Sequence, residues 1–411
     1  MMHVYLWGAG KRLAEVYDCL DLDRCVVDGI VDRHAGNGKC FRSYVIQFPE
    51  VLEDASFDAV IVTAVHWESI AKDYETMGFP ADKLICCFRG KDANNPVFQP
   101  TCLRLYQRIH ELEGECRKWK LRVETAPFEF SGKEAVHVFD GVSLLQRILK
   151  EQDSLSRFGD GEFSTILLEK RPWFQTPDPR LAQKLRQVLD EDEPNLLLAI
   201  ADNYGNLERY TDKAADAIRN YQMENQHRER ILELLDPSRA YYDAYVTRPY
   251  YMYRDKSYSK TIFGLWKQIF ANRDTLIVEG RFSRFGCGSD LLAGATNVRR
   301  ILAPEKDAFA RYEDILESVK RHANVTDLIL ISLGPTATVL ASDVAKMGIQ
   351  AIDIGQLDNE YDWYRMGTKE RVPIVGKMTA EVQWDREVEE IQDTAYESSI
   401  VDCCFRRNIH E

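Results

Sequence analysis

Short apolar runs, each closed by a glycine-bearing turn and followed by a stretch of helical spacing, recur along this chain and constrain its fold more than any other feature. Val4-Tyr5-Leu6-Trp7 runs into Gly8-Ala9-Gly10 and an amphipathic segment through Leu20. Thr275–Val278 runs into a glycine-rich loop, and Leu328–Ser332 into Leu333-Gly334-Pro335-Thr336-Ala337. Strands that alternate with helices lie parallel and are covered on both faces. The expected class is therefore α/β: an N-terminal Rossmann-like parallel sheet and a larger doubly wound α/β domain.

Four segments divide the chain. Residues 1–98 hold the Rossmann-like unit, with strands expected at Val4–Trp7, Val26–Val31, Ala59–Ala64 and Lys83–Cys87. Residues 99–135 form a helical linker. Leu103, Leu105, Tyr106, Ile109 and Leu112 fall near helical spacing between Thr101 and Glu124, and Ala126–Lys133 closes the linker. Pairing with a second copy is one use for such a helix, but the heptads read there are too short to specify it. Residues 136–377 form the larger domain, with strands at Ser154–Phe158, Leu196–Ala201, Thr275–Val278, Val298–Leu302, Leu328–Ser332 and Gln350–Ile354. Residues 378–411 read as an acidic tail, partly helical or an oligomer contact.

Composition excludes several classes. A net charge of −13 argues against nucleic-acid binding, which depends on basic patches. No run approaches 18 apolar residues, so no membrane span is expected, and the N-terminus lacks the basic flank and cleavage site of a signal peptide. Ten scattered cysteines without a Cys-x-x-Cys pair point to a reducing cytoplasm, with neither disulfide frame nor zinc ribbon.

The chemistry is expected in the glycine loops. Arg157-Phe158-Gly159-Asp160-Gly161-Glu162 places two acids two residues apart beside glycines that let the loop turn both toward one point. Such a pair suits a hard divalent cation, Mn²⁺ or Mg²⁺, that shares its oxygens with substrate phosphates. Arg157 and Gly159 would meet the anion. Glu279–Asp290 carries Arg281, Ser283, Arg284, Gly286 and Gly288 and is expected to open a helix at Ser289 or Asp290, an anion site. Gly334 and Thr336 form a third such loop, with Thr336 as a helix cap. Arg248 sits beside Tyr250 and suits a diphosphate. Asp358 and Glu360 follow the last strand and are candidate general bases. Cys287 has no histidine nearby in sequence, and the eight histidines show no metal spacing. Near the N-terminus, Gly8 and Gly10 with Asp32 approximate a dinucleotide fingerprint, but Leu13 stands where its third glycine belongs.

Taken in order, Arg157–Glu162, Gly280–Asp290, Arg299–Pro304, Leu333–Ala337 and Asp353–Gly355 resemble the bacterial glycosyltransferases of GT-D type over about residues 136–377. The resemblance implies a metal-dependent transferase using a nucleotide-sugar donor, commonly UDP-glucose, and a glycan or glycoprotein acceptor. It places the family's Asp-x-Glu motif on Asp160 and Glu162. The chain departs from the family pattern at Gln356, where histidine is usual, and at Asn359, where an apolar residue is usual. Two rivals remain at this stage: an NAD(P)-dependent enzyme acting on a sugar nucleotide, and a non-catalytic nucleotide-sugar-binding subunit.

Overall fold

The computed structural model describes residues 1–36, 38–64, 67–86, 92, 95–131, 135–169, 175–379, 382, 388 and 392–404, without the side chains of residues 102, 103, 106 and 107. The expected strand end at Cys87, the linker residues 132–134 and much of the tail lie outside the described residues. Two compact units divide the chain, Met1–Lys120 and Leu121–Glu411.

In the first unit, β1 (Met2–Trp7), β2 (Cys25–Val31), β3 (Cys40–Phe41), β4 (Tyr44–Gln47), β5 (Ala59–Val62) and β6 (Leu84–Cys86) form one sheet in the order β3-β4-β2-β1-β5-β6. All pairs are parallel except β3 with β4. The short β3–β4 hairpin was not expected, since β3 has only two residues and the apolar run of β4 only three, Tyr44-Val45-Ile46.

The second unit is built on nine strands: β7 (His137–Phe139), β8 (Ser154–Phe158), β9 (Leu196–Ile200), β10 (Ala240–Asp243), β11 (Asp274–Gly280), β12 (Asn297–Ala303), β13 (Leu328–Ser332), β14 (Ala351–Asp353) and β15 (Ile400–Cys403). They run in the order β15-β12-β11-β13-β14-β8-β9-β10-β7, and every pair is parallel. Alternate side chains enter two separate cores, as the period of a strand requires. Leu276, Val278, Ile329 and Ile331 pack on one face with the helices Pro179–Asp190, Tyr312–Ala323 and Pro335–Ala345. Ile277, Leu328 and Leu330 pack on the other with Gly141–Glu151 and Lys256–Phe270. Each such buried aliphatic side chain contributes about 1.5–3 kcal/mol, which is why the sheet needs helices on both sides.

Three expectations change. The linker helix runs Pro100–Glu129, through Pro127 and into the segment read as its non-helical end. The tail is not outside the domain: Ile400–Cys403 pairs with β12 as the edge strand, and Cys404 joins the core. The loop after β11 opens no helix, because residues 281–294 form successive turns before β12.

Candidate active site

The carboxyl ends of β8, β11, β12, β13 and β14 surround a cavity of about 480 Å³. From β8 the chain passes to β9 on one side, while β14 pairs on the other. The cavity therefore sits at a switch in strand order, where open α/β sheets bind ligands.

Asp160 and Glu162 both line it, on the first turn of the helix Asp160–Ile166. Glu162 reaches back so that its Oε2 accepts the Gly159 N–H at 2.7 Å, a capping contact that fixes the carboxyl at the helix start. Burial, with the charge of Asp353 adding to it, raises the Glu162 carboxyl from 4.5 to about 7. Arg157 opposes that rise only in part because its own bonds go elsewhere. Its Nη2 pairs with Asp353 Oδ1 at 2.8 Å, its Nε donates to the Asp353 carbonyl at 2.9 Å, and its Nη1 donates to Thr247 Oγ1 at 2.8 Å. Arg157 borders the cavity but acts as a tie between loops rather than as an anion fork. The tie also demands Gly355: at φ +46°, a Cβ there would stand 2.1 Å from Arg157 Nη2.

The loop after β11 is held by buried charge. Glu279 accepts from Phe285 N–H at 2.7 Å and from Arg300 Nη1 at 2.6 Å, and Arg300 Nη2 donates to the Phe285 carbonyl at 2.8 Å. This turns Gly280, Ser283 and Phe285 to the cavity, while Arg281, Arg284 and Gly286–Gly288 do not line it. Arg284 stacks over Tyr396, 5.4 Å from the ring centre, and lies off the cavity. The Gly286 N–H donates to Asp358 Oδ1 at 2.9 Å, and the Gly288 carbonyl accepts from Arg365. The Gly286 amide of the expected cradle is thus spent inside the protein, and neither Gly286 nor Gly288 lines the cavity. Burial pushes the Cys287 thiol up to about 11, so it is no thiolate.

Gly334, at φ +55°, caps the helix Pro335–Ala345 and lines the cavity with Pro335, so that helix N-terminus faces the space. Thr336 is not the cap. It is fully buried, its hydroxyl lacks a hydrogen-bond partner, and it does not reach the cavity. Arg248 does.

The two expected bases separate. Glu360 is buried off the cavity, its Oε2 accepting the N–H groups of Tyr250 and Tyr251 at 2.9 Å each. Asp358 lines the cavity, yet its Oδ2 is paired with Lys377 Nζ at 2.6 Å, and Lys377 also holds Asp362 at 2.7 Å. Burial pushes Asp358 upward against the pull of Lys377.

Sequence reading missed Glu305, Glu169 and Arg371, all of which line the same cavity. Glu169 is held by His227 Nε2 and Arg230 Nη1, each at 2.7 Å. Glu305 makes no hydrogen bond or ion pair among the described residues. Its only sequence signal was its position two residues past β12. The described residues hold no cluster of three His, Cys, Asp or Glu side chains suited to a metal.

In the first unit, Gly8, Gly10 and Asp32 do come together, but Asp32 is turned to its own loop. Its carboxylate accepts from Ala9 N–H at 2.6 Å and His34 N–H at 2.7 Å. The helix that follows spans only Leu13–Asp18. The expected ribose partner is therefore a loop fastener.

A parallel sheet with an acid pair, a helix N-terminus and an arginine converging at its switch point defines an α/β protein built to hold an anionic ligand. Residues 155–382, more than half of the chain, match the family described as Glycosyltransferase GT-D fold, and the chain belongs to that family. It is 38% identical over 260 residues to the probable glycosyl transferase Gly of Streptococcus gordonii, covering 62% of this chain and 37% of that protein. It is 36% identical over 258 residues to glycosyltransferase GlyD of Streptococcus pneumoniae, covering 62% of this chain and 31% of that protein. The chain thus spans about a third of the length of these curated relatives. Among solved structures it is similar to a new glycosyltransferase (DUF1792) from Streptococcus sanguinis, with TM-score 0.61 and 35% identity over 65% of this chain and 99% of that one. A second, described as having a distinct glycosyltransferase fold, gives TM-score 0.63 and 33% identity over 70% and 99%. Among the described residues no helix is long and apolar enough to cross a membrane.

Proposed function

We propose that this chain transfers a hexose, glucose in the first instance, from a UDP-sugar to a glycan or glycoprotein acceptor in surface-polysaccharide or protein glycosylation. The observation that carries this reading is one cavity lined by Asp160, Glu162, Arg248 and the helix start at Gly334–Pro335.

A divalent cation fits the acid pair on two counts. The Glu162 carboxyl is raised by burial and by Asp353, so its negative charge lacks compensation, and the nearest arginine is committed to Asp353. Two oxygen donors from the protein leave the remaining positions to phosphate oxygens and water, the usual arrangement for Mg²⁺ or Mn²⁺. When bound, the ion would neutralise charge developing on the leaving diphosphate. Arg248 and the positive end of the helix Pro335–Ala345 support the same charge from the protein side. Glu305 is the carboxylate suited to take the proton of an acceptor hydroxyl, as its oxygens are not committed. The acceptor oxygen then bonds to the anomeric carbon, and the bond from that carbon to the diphosphate breaks with its electrons leaving on phosphate.

The test is turnover of UDP-glucose with Mn²⁺ by the Asp160→Ala, Glu162→Ala double variant. Transfer and hydrolysis should both disappear while the circular dichroism stays that of the parent. Parental activity in the double variant would remove the basis of the proposal.

A further inference from the structure

We propose that the helix Pro100–Glu129 pairs with the same helix of a second copy of this chain, as a parallel, in-register, two-stranded coiled coil. Between residues 104 and 120, every described side chain of this helix is exposed apart from His110 and Gly114, which are half-buried. Along it Leu105, Ile109, Leu112, Trp119 and Val123 are 41–70% exposed, and Cys116 is exposed as well. Single exposed apolar residues are ordinary, but a continuous row is not.

The spacing of the row identifies its occupant. Successive members are 4, 3, 4, 3 and 4 residues apart, so that Leu105, Leu112 and Trp119, and likewise Ile109, Cys116 and Val123, recur every seven residues, the period of a heptad. A row with that period stays in contact only with another helix that winds around it. Among the described residues this is the one such seam, and a second copy supplies its match. Ile109, Cys116 and Val123 take the first core position of the heptad, and Leu105, Leu112 and Trp119 the second. β-Branched residues at the first position and leucine at the second favour two strands.

The flanking charges agree. In a parallel, in-register pair, each residue before a first core position faces the partner's residue five further on. Arg108 then faces Glu113 of the second copy, and Glu115 faces Lys120, both with opposite sign. The antiparallel arrangement over the same span would instead set Glu115 against Glu115 of the second copy and Arg108 against Arg122, like charge against like. The seam ends at Val123, ahead of Pro127, whose missing amide proton weakens the last turn. None of this depends on the transferase reading.

Light scattering on the eluting full-length chain should give twice 47.4 kDa, and the Leu112→Glu, Val123→Glu variant should halve that mass with its circular dichroism unchanged. Oxidation with diamide should link two parental chains through Cys116, since parallel register brings the two thiols face to face. Cys116→Ser should abolish the link, and Cys40→Ser, at the other exposed cysteine among the described residues, should not. A monomeric parent, or a glutamate variant that stays dimeric, overturns the seam. A dimer that diamide does not link through Cys116 overturns the parallel register.

Discussion

Replacing Glu162 by glutamine should make the protein more stable at alkaline pH while removing one of the two carboxylates proposed to hold the cation. Glutamine keeps an oxygen for the Gly159 N–H, so the helix start is retained. What disappears is a carboxyl whose ionisation the folded state resists, through burial first and Asp353 second. The sign follows from proton binding. A carboxyl raised from 4.5 to about 7 holds its proton in the folded state where the unfolded chain has released it. Stability contributed by this group is therefore full below pH 4.5 and lost as pH climbs through 7. At about 1.36 kcal/mol per pH unit, the loss is roughly 3 kcal/mol above neutrality. Thermal unfolding of parent and Glu162→Gln in EDTA, at pH 5 and pH 8, reads it directly from the transition of the larger unit. The variant should gain several degrees over the parent at pH 8 and little at pH 5. An equal difference at both pH values would refute the argument, since it would mean that Glu162 ionises freely in the fold.

Glu305→Gln should leave UDP-sugar affinity within about twofold and lower transfer by about 10²–10⁴, the usual loss on removing a general base. Isothermal titration with the donor and initial-rate measurements with an acceptor separate the two effects, and unchanged transfer would return the base to another residue. Thr336→Val should leave donor affinity unchanged and alter unfolding free energy by no more than about 1 kcal/mol, on the stabilising side, because a buried hydroxyl without a partner is replaced by a methyl group of similar size. Weakened donor binding in Thr336→Val would restore that residue to the site.

How much could be read before folding differs from element to element. The strands at Leu196 and Leu328 were legible because both of their faces are buried and their apolar runs are unbroken. Those at His137 and Ile400 sit on the sheet's two edges, with alternating or partial burial, and carry no such run. Asp160 and Glu162 were legible as a pair, since two acids two residues apart beside glycine are a local arrangement, but in sequence they read as a loop and the structure puts them on the first turn of a helix. Arg284, Gly286 and Glu360 look equally suited to a ligand in one dimension. Each instead meets an internal partner far along the chain, in Tyr396, Asp358 and the amides of Tyr250 and Tyr251.

The sequence by itself determined the alternation of strand and helix, the parallel sheets that alternation requires, and the rim on which the ligand loops gather. Those are properties of periodicity and glycine placement, which act over a few residues. Only the tertiary structure decided which polar groups on that rim are spent and which remain for chemistry. Arg157 is consumed by Asp353, while Glu305 is left uncommitted in the cavity. The choice depends on contacts between residues up to 196 positions apart, and a buried charge takes whichever partner the packed sheet brings within reach.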